Sequence, residues 1–198
     1  MSRIAKIVQS NSHVDYVGRV IDRLDADAPP RTDEYGFAQF VSIPLDESDI
    51  IGVIYNSQLI NPDYGNYGPR LSPLADLSVL SPDYLNEQGL LIGILLLGWR
   101  EHAGPVNHHA VPRRIIPVNQ DIYRLADEDV QSFHRDADGG VLLHYYSQVL
   151  AHAGPFSVPL IEAILEQLEP QCAPEERQRL CVLKQALVWQ RTVGGMRL

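Results

Sequence analysis

Residues 89–99 read GLLIGILLLGW, the most apolar run in the chain. A membrane-spanning helix needs about 20 such residues, so this run is roughly half the length required. A short run of Ile and Leu with glycine at both ends instead fits a strand buried on both faces, or the wall of a barrel. That reading sets what surrounds it: a strand with no polar face needs apolar neighbours on two sides.

The rest of the first 120 residues supplies candidates. RIAKIVQ, HVDYVGRVID, FAQFVSIP, IIGVIYNSQLI, LLIGILLLGWRE and RRIIPVN all read as strands. The connection DADAPPRTDEYG is polar, and Pro29 and Pro30 exclude a central strand there. Gly18, Gly52 and Gly93 fall inside strands, where glycine is unfavourable unless a bulge or tight bend is wanted. Closing a small barrel wants such bends. After Gln120 the apolar period lengthens. DIYRLADEDVQSF holds a last β segment and then a helix start, with Asp127 or a neighbour as its cap. Val141, Tyr145 and Val149 recur at helical spacing before the stop at Gly154 and Pro155. Val158, Ile161, Leu165 and Leu168 form one face of a helix capped by Ser157. Pro174, Glu175 and Glu176 open a further helix with a stripe at Leu180, Leu183 and Leu187. The expected fold is α+β: a small closed β-barrel of Greek-key type over residues 1–125, followed by a helical C-terminal region of three to four helices over 126–198.

The net charge of -9 argues against broad contact with nucleic acid, which needs Lys and Arg facing phosphates. Direct nucleic-acid binding is therefore not expected. Cys172 and Cys181 sit nine apart beside a helix, about 13 Å along its axis, too far for a disulfide. Reduced, packed thiols in a cytoplasmic protein follow, and no signal peptide or membrane span is read.

The strong catalytic signatures are missing: no GxxxxGK[ST], GxGxxG, GxSxG, HExxH or CxxC. No cofactor is expected. The weak metal candidates are His102, His108 and His109 in REHAGPVNHHAVPRR, whose spacing matches no standard site and whose surroundings read as a solvated loop. Arg100, Arg113 and Arg114 form a basic cluster that reads as a strand end balanced by Glu101 and other acids. A distinct feature is NPDYGNYGPRLS, a connection far longer than a hairpin needs. Tyr64, Asn66, Tyr67 and Arg70 make it a candidate partner-binding surface, since Tyr is enriched at protein contacts. Packing of the same rings over the barrel end is the equal alternative.

The order VGRVID, FAQFVSI, IIGVIYNSQLI, LLIGILLLGWRE and IIPVNQDIYRLADEDV resembles the HAS barrel, the N-terminal barrel of HerA-type DNA translocases and rotary ATP synthase subunits. In HerA proteins a RecA-like ATPase follows the barrel. Here the residues after 125 read as helices without a phosphate loop. The resemblance implies a barrel separated from its motor: a non-catalytic adaptor or assembly subunit with a protein partner, such as a HerA-like ATPase or nuclease, with a homo-oligomer left open. The rival reading is an enzyme of unknown class with a metal or acid/base site near His102–His109. A third, a small-ligand module using the barrel mouth, has no sequence feature in its favour.

Overall fold

The computed structural model describes residues 2–61, 88–104, 106–136 and 139–194, with the backbone alone for 171 and 186–194. Its strands are β1 Arg3–Ser10, β2 Asp15–Val20, β3 Phe40–Pro44, β4 Ser48–Ile60, β5 Gly89–Glu101, β6 Asn107–His108 and β7 Asp121–Arg124. The helices are α1 Asp127–Phe133, α2 Tyr146–His152, α3 Ser157–Leu168 and α4 Pro174–Gly194.

Six strands close on themselves in the order β1-β2-β5-β4-β3-β7, every neighbour antiparallel. β7 runs between β1 and β3, so the chain crosses the barrel end to reach it, while β6 adds a short rung to the end of β5. Ile4, Ile7, Tyr16, Val41, Ile43, Ile54, Ile92, Ile94 and Ile122 fill the interior. Each such side chain removed from water contributes about 1.5–3 kcal/mol before the entropy of ordering it.

The run 89–99 is apolar throughout because β5 serves two cores. Ile92, Ile94 and Leu96 point into the barrel. Leu95 and Leu97 point outward and join Phe40, Ile51 and Val53 in a second cluster with Val130, Phe133, Val149, Leu160, Ile161, Ile164 and Leu168. The helices thus lie on the outer face of β3, β4 and β5. Gln167 Nε2 donates to Ala38 O at 3.0 Å, and Gln148 donates to Leu96 O, fastening the layer.

The strand glycines sit where the ladder is irregular. The β4–β5 register shifts between Ile51 and Gly52 and again between Ile54 and Asn56, opposite Gly93. A Cβ on Gly52 would meet Ile94 Cγ2 at 2.8 Å and Leu95 O at 3.1 Å. Gly98 is tighter still: its Cβ would lie 1.8 Å from His108 O, so only glycine lets β6 close on β5.

Several sequence expectations change. RRIIPVN is not a strand. It follows Pro112, includes Pro117 and crosses the barrel end as an irregular strap, with Ile116 tucked into the barrel (4% exposed) and Ile115 facing out (76%). Ile116 N–H donates to Tyr16 Oη at 3.3 Å, so the strap plugs the barrel instead of extending its wall. The helix expected from Val141 begins at Tyr146, because Val141 pairs in a bridge with Arg135. Ala126, the neighbour of Asp127, occupies the cap position of α1, within the expectation; at α3 the cap position falls on Phe156, not Ser157. For α3 the cause is a 3₁₀ turn, Gly154–Phe156, that runs straight into the helix. Asp127, Glu128 and Asp129 stay in the first turn of α1, where negative charge favours the helix N-terminus. Both cysteines are free; Cys172 is buried, but Cys181 is exposed instead of packed.

Candidate functional site

Tyr64, Asn66, Tyr67 and Arg70 lie outside the described residues. The strand that leads to them is described, and it outruns its β3 neighbour. β3 pairs with β4 up to Phe40 opposite Val53, and two backbone bonds follow: Ile54 N to Gln39 O at 2.9 Å and Ala38 N to Ile54 O at 2.8 Å. Past Ile54 the 36–39 segment turns away. β4 continues through Ile60 against β5 alone, with Asn56 to Ile60 all exposed and Leu59 80% so. Tyr55 is the extra residue of the bulge that starts this extension. Its hydroxyl donates to Asp15 Oδ1 at 2.9 Å, and burial together with that carboxylate pushes its pKa up to about 12. This extension of β4 is therefore pinned at its base, and β5 beside it stays paired with β2 as far as Leu91. Ser57 N–H turns to the Asn56 side chain at 2.9 Å, which marks the β4 edge that β5 does not use.

The structure scatters the three candidate histidines. His102 Nε2 meets Asp49 at 2.9 Å; His108 stacks on Trp99 with ring centroids 4.5 Å apart and lies 3.5 Å from Glu101; His109 turns the other way and donates from Nε2 to Phe133 O at 2.8 Å. The loop is not simply solvated, since His108 and His109 are half-buried. Among the described residues no three His, Cys, Asp or Glu side chains are placed to share a metal ion. Two of the three arginines in the basic cluster, Arg100 and Arg114, are balanced, and by acids other than Glu101. Arg100 lies between Asp129 at 2.8 Å and Asp49 at 3.5 Å, tying β5 to α1, and Arg114 pairs with Glu47. Arg113 has no acidic partner among the described residues.

Sequence reasoning missed the buried polar group at the centre of the barrel–helix junction. His134 is 1% exposed at the end of α1. Its Nδ1–H donates to Val130 O at 2.6 Å, which leaves Nε2 to accept from the Tyr145 hydroxyl at 2.7 Å. Phe40, Phe133 and His109 surround the ring, with centroids 5.1, 5.2 and 5.6 Å away. Burial, helped by His109 and Arg135, pushes the His134 pKa down to about 3, so the ring is neutral. Burial also lowers His109, whose Nδ1 is buried without a partner. His134 and Tyr145 are eleven apart across an irregular segment, so no periodicity links them; the only hint was a histidine directly after Phe133 on an apolar helix face.

A cleft of about 640 Å³ opens at the barrel mouth between the start of β4, the end of β5 and the strap. Ile50 and Trp99, register partners across the β4–β5 ladder, lie at its base. Ser48 and Pro112 line its walls, with Arg113 and Arg114 along the strap.

Among the described residues no helix is long and apolar enough to cross a membrane. No curated protein matches the sequence. One family model, described as "Domain of unknown function (DUF8166)", matches residues 1–197. This closed barrel with its layer of helices therefore belongs to the DUF8166 family.

Proposed function

We propose that the chain is a non-catalytic protein-interaction module, an adaptor or assembly subunit, that takes its partner along the open edge of β4. The observation that carries this reading is the pinned ribbon at Asn56 to Ile60, one edge of which has no strand beside it among the described residues. An unpaired edge is a template for an added strand, and proteins commonly blunt such edges with charge or proline. NSQLI has neither, and Leu59 supplies an exposed apolar anchor beside the free backbone. The expected occupant is an extended segment of a partner protein. The resemblance to HerA-type barrels points to a ring ATPase or a nuclease as the first partners to try. Tyr64, Asn66, Tyr67 and Arg70 follow this strand directly in sequence and would widen the same contact. The rival enzyme reading is less favoured because His102, His108 and His109 are each engaged by internal contacts.

Hydrogen exchange tests the proposal. Amides of Asn56–Ile60 should gain protection when the partner is added. Leu59→Lys should abolish that protection and weaken binding by more than 1 kcal/mol, while folding stability moves by less than about 0.5 kcal/mol. Undiminished binding by Leu59→Lys would overturn the proposal. Sedimentation of the chain alone separates a partner strand from a second copy paired on the same edge.

A further inference from the structure

The barrel-mouth cleft carries an inference independent of the β4 edge. Its volume, about 640 Å³, lies within the range of small-ligand sites, roughly 300–1,000 Å³. Its base is apolar. Trp99 is half-buried and lines the cleft, with His108 stacked on one face of the indole at 4.5 Å and 16° between the planes. Ile50 and Pro112 complete the apolar lining. Two polar groups stand out within it. Ser48 is 4% exposed, lines the cleft, and its hydroxyl makes no hydrogen bond among the described residues. The hydroxyl is not sealed from the cleft, so it is available to donate to a group that enters. Arg113 is the second. Arg114 pairs with Glu47 and His102 meets Asp49, while Glu101 meets only the His108 ring, 3.5 Å away. Arg113 is thus the lining guanidinium without an acidic partner among the described residues.

One free guanidinium, one free hydroxyl donor and an aromatic and aliphatic base together match one ligand chemistry. We propose that the barrel mouth binds a small amphipathic carboxylate, with Arg113 and the Ser48 hydroxyl donating to the carboxylate and Trp99 and Ile50 packing its apolar body. With the carboxylates of Glu47 and Glu101 also in the lining, a monoanion is favoured over a phosphate dianion, and the planar guanidinium fork suits the two carboxylate oxygens. The same group is offered by a free alkyl or aryl acid and by the C-terminus of a peptide with an apolar last residue.

Calorimetry on the full chain tests this with octanoate, octanamide, and a tripeptide ending in Leu as free acid and as amide. Octanoate or the free-acid tripeptide should bind saturably, at least about tenfold more tightly than its own amide. Arg113→Ala should cost about tenfold in affinity for the acid and leave the amide unchanged. Ser48→Ala should cost about threefold or more. One of the two indole N–H resonances, assigned by Trp99→Phe, should shift on binding. Tighter binding of the tripeptide assigns the site to a protein C-terminus, and tighter binding of octanoate to a free acid; either supports the proposal. No saturable binding of either acid at millimolar concentration, equal affinity for acid and amide, or an acid affinity unmoved by Arg113→Ala would overturn it. Arg113 is exposed and unpaired, so its replacement leaves the fold intact as a control.

Discussion

Acid should release the helices from the barrel, and His134 sets the pH at which this begins. The folded chain holds this ring neutral, with a pKa near 3 against an ordinary 6.5. As pH falls, the unfolded chain takes up the proton first, so stability drains from about pH 6.5 downward until the folded ring itself protonates near 3. Each unit is worth about 1.36 kcal/mol, giving a ceiling of roughly 5 kcal/mol. Between about pH 7.5 and about pH 5, where most carboxylates stay ionised, His134 accounts for a loss of about 2 kcal/mol. The assay is urea unfolding followed by circular dichroism at both pH values. The comparison is with His134→Phe/Tyr145→Phe, which removes the titrating ring and the hydroxyl it would orphan. The double variant should lose about 2 kcal/mol less than the natural chain over this interval. An NMR titration of His134 checks the same point without a mutation: its ring signals should not move above about pH 4. Equal pH slopes in the two chains, or a His134 titration near pH 6, would refute the reasoning.

Gly98→Ala should destabilise by more than about 2 kcal/mol, because its Cβ would fall on the His108 carbonyl and backbone has to move; thermal melts measure this, and a neutral result would show that β6 is loosely held. Arg100→Ala should cost about 1–3 kcal/mol by stranding Asp49 and Asp129, and part of that cost should disappear in 1 M salt, which denaturation at two ionic strengths reads directly.

The long strands were legible because burial writes itself into composition. The β5 segment has no polar face, and IIGVIYNSQLI is apolar where the barrel needs it and polar over Asn56–Gln58, where β4 outruns β3. Strand glycines correctly signalled irregular pairing at Gly52 and Gly93. Local pattern misled at RRIIPVN, which reads as a strand by composition, but of its residues only Ile116 turns inward and the strap carries it there without a ladder. Ile116 earned its burial by plugging the barrel, which no period reports. The open edge of β4 was illegible for a different reason: a strand's sequence carries the orientation of its side chains but not which of its backbone edges is occupied. Likewise the Ser48–Arg113 juxtaposition depends on how the strap crosses the mouth, a long-range event without a local signature.

The shared use of β5 has a consequence for how the chain comes to be folded. Its pairing with β2 joins residues 15–19 to 91–95, and β1 closes on β7 by joining residues 3–6 to 121–123. The ring therefore cannot shut during synthesis until Arg124 has been made. The β3–β4–β5 meander can form earlier, from contacts closer in sequence, and pairings this distant slow folding. Until α3 emerges with Leu160, Ile161 and Ile164, the outward side of that meander presents Phe40, Ile51, Val53, Leu95 and Leu97 to water. The nascent protein thus passes through an interval with a bare aliphatic sheet face, the kind of surface on which growing chains stick to one another or recruit chaperones.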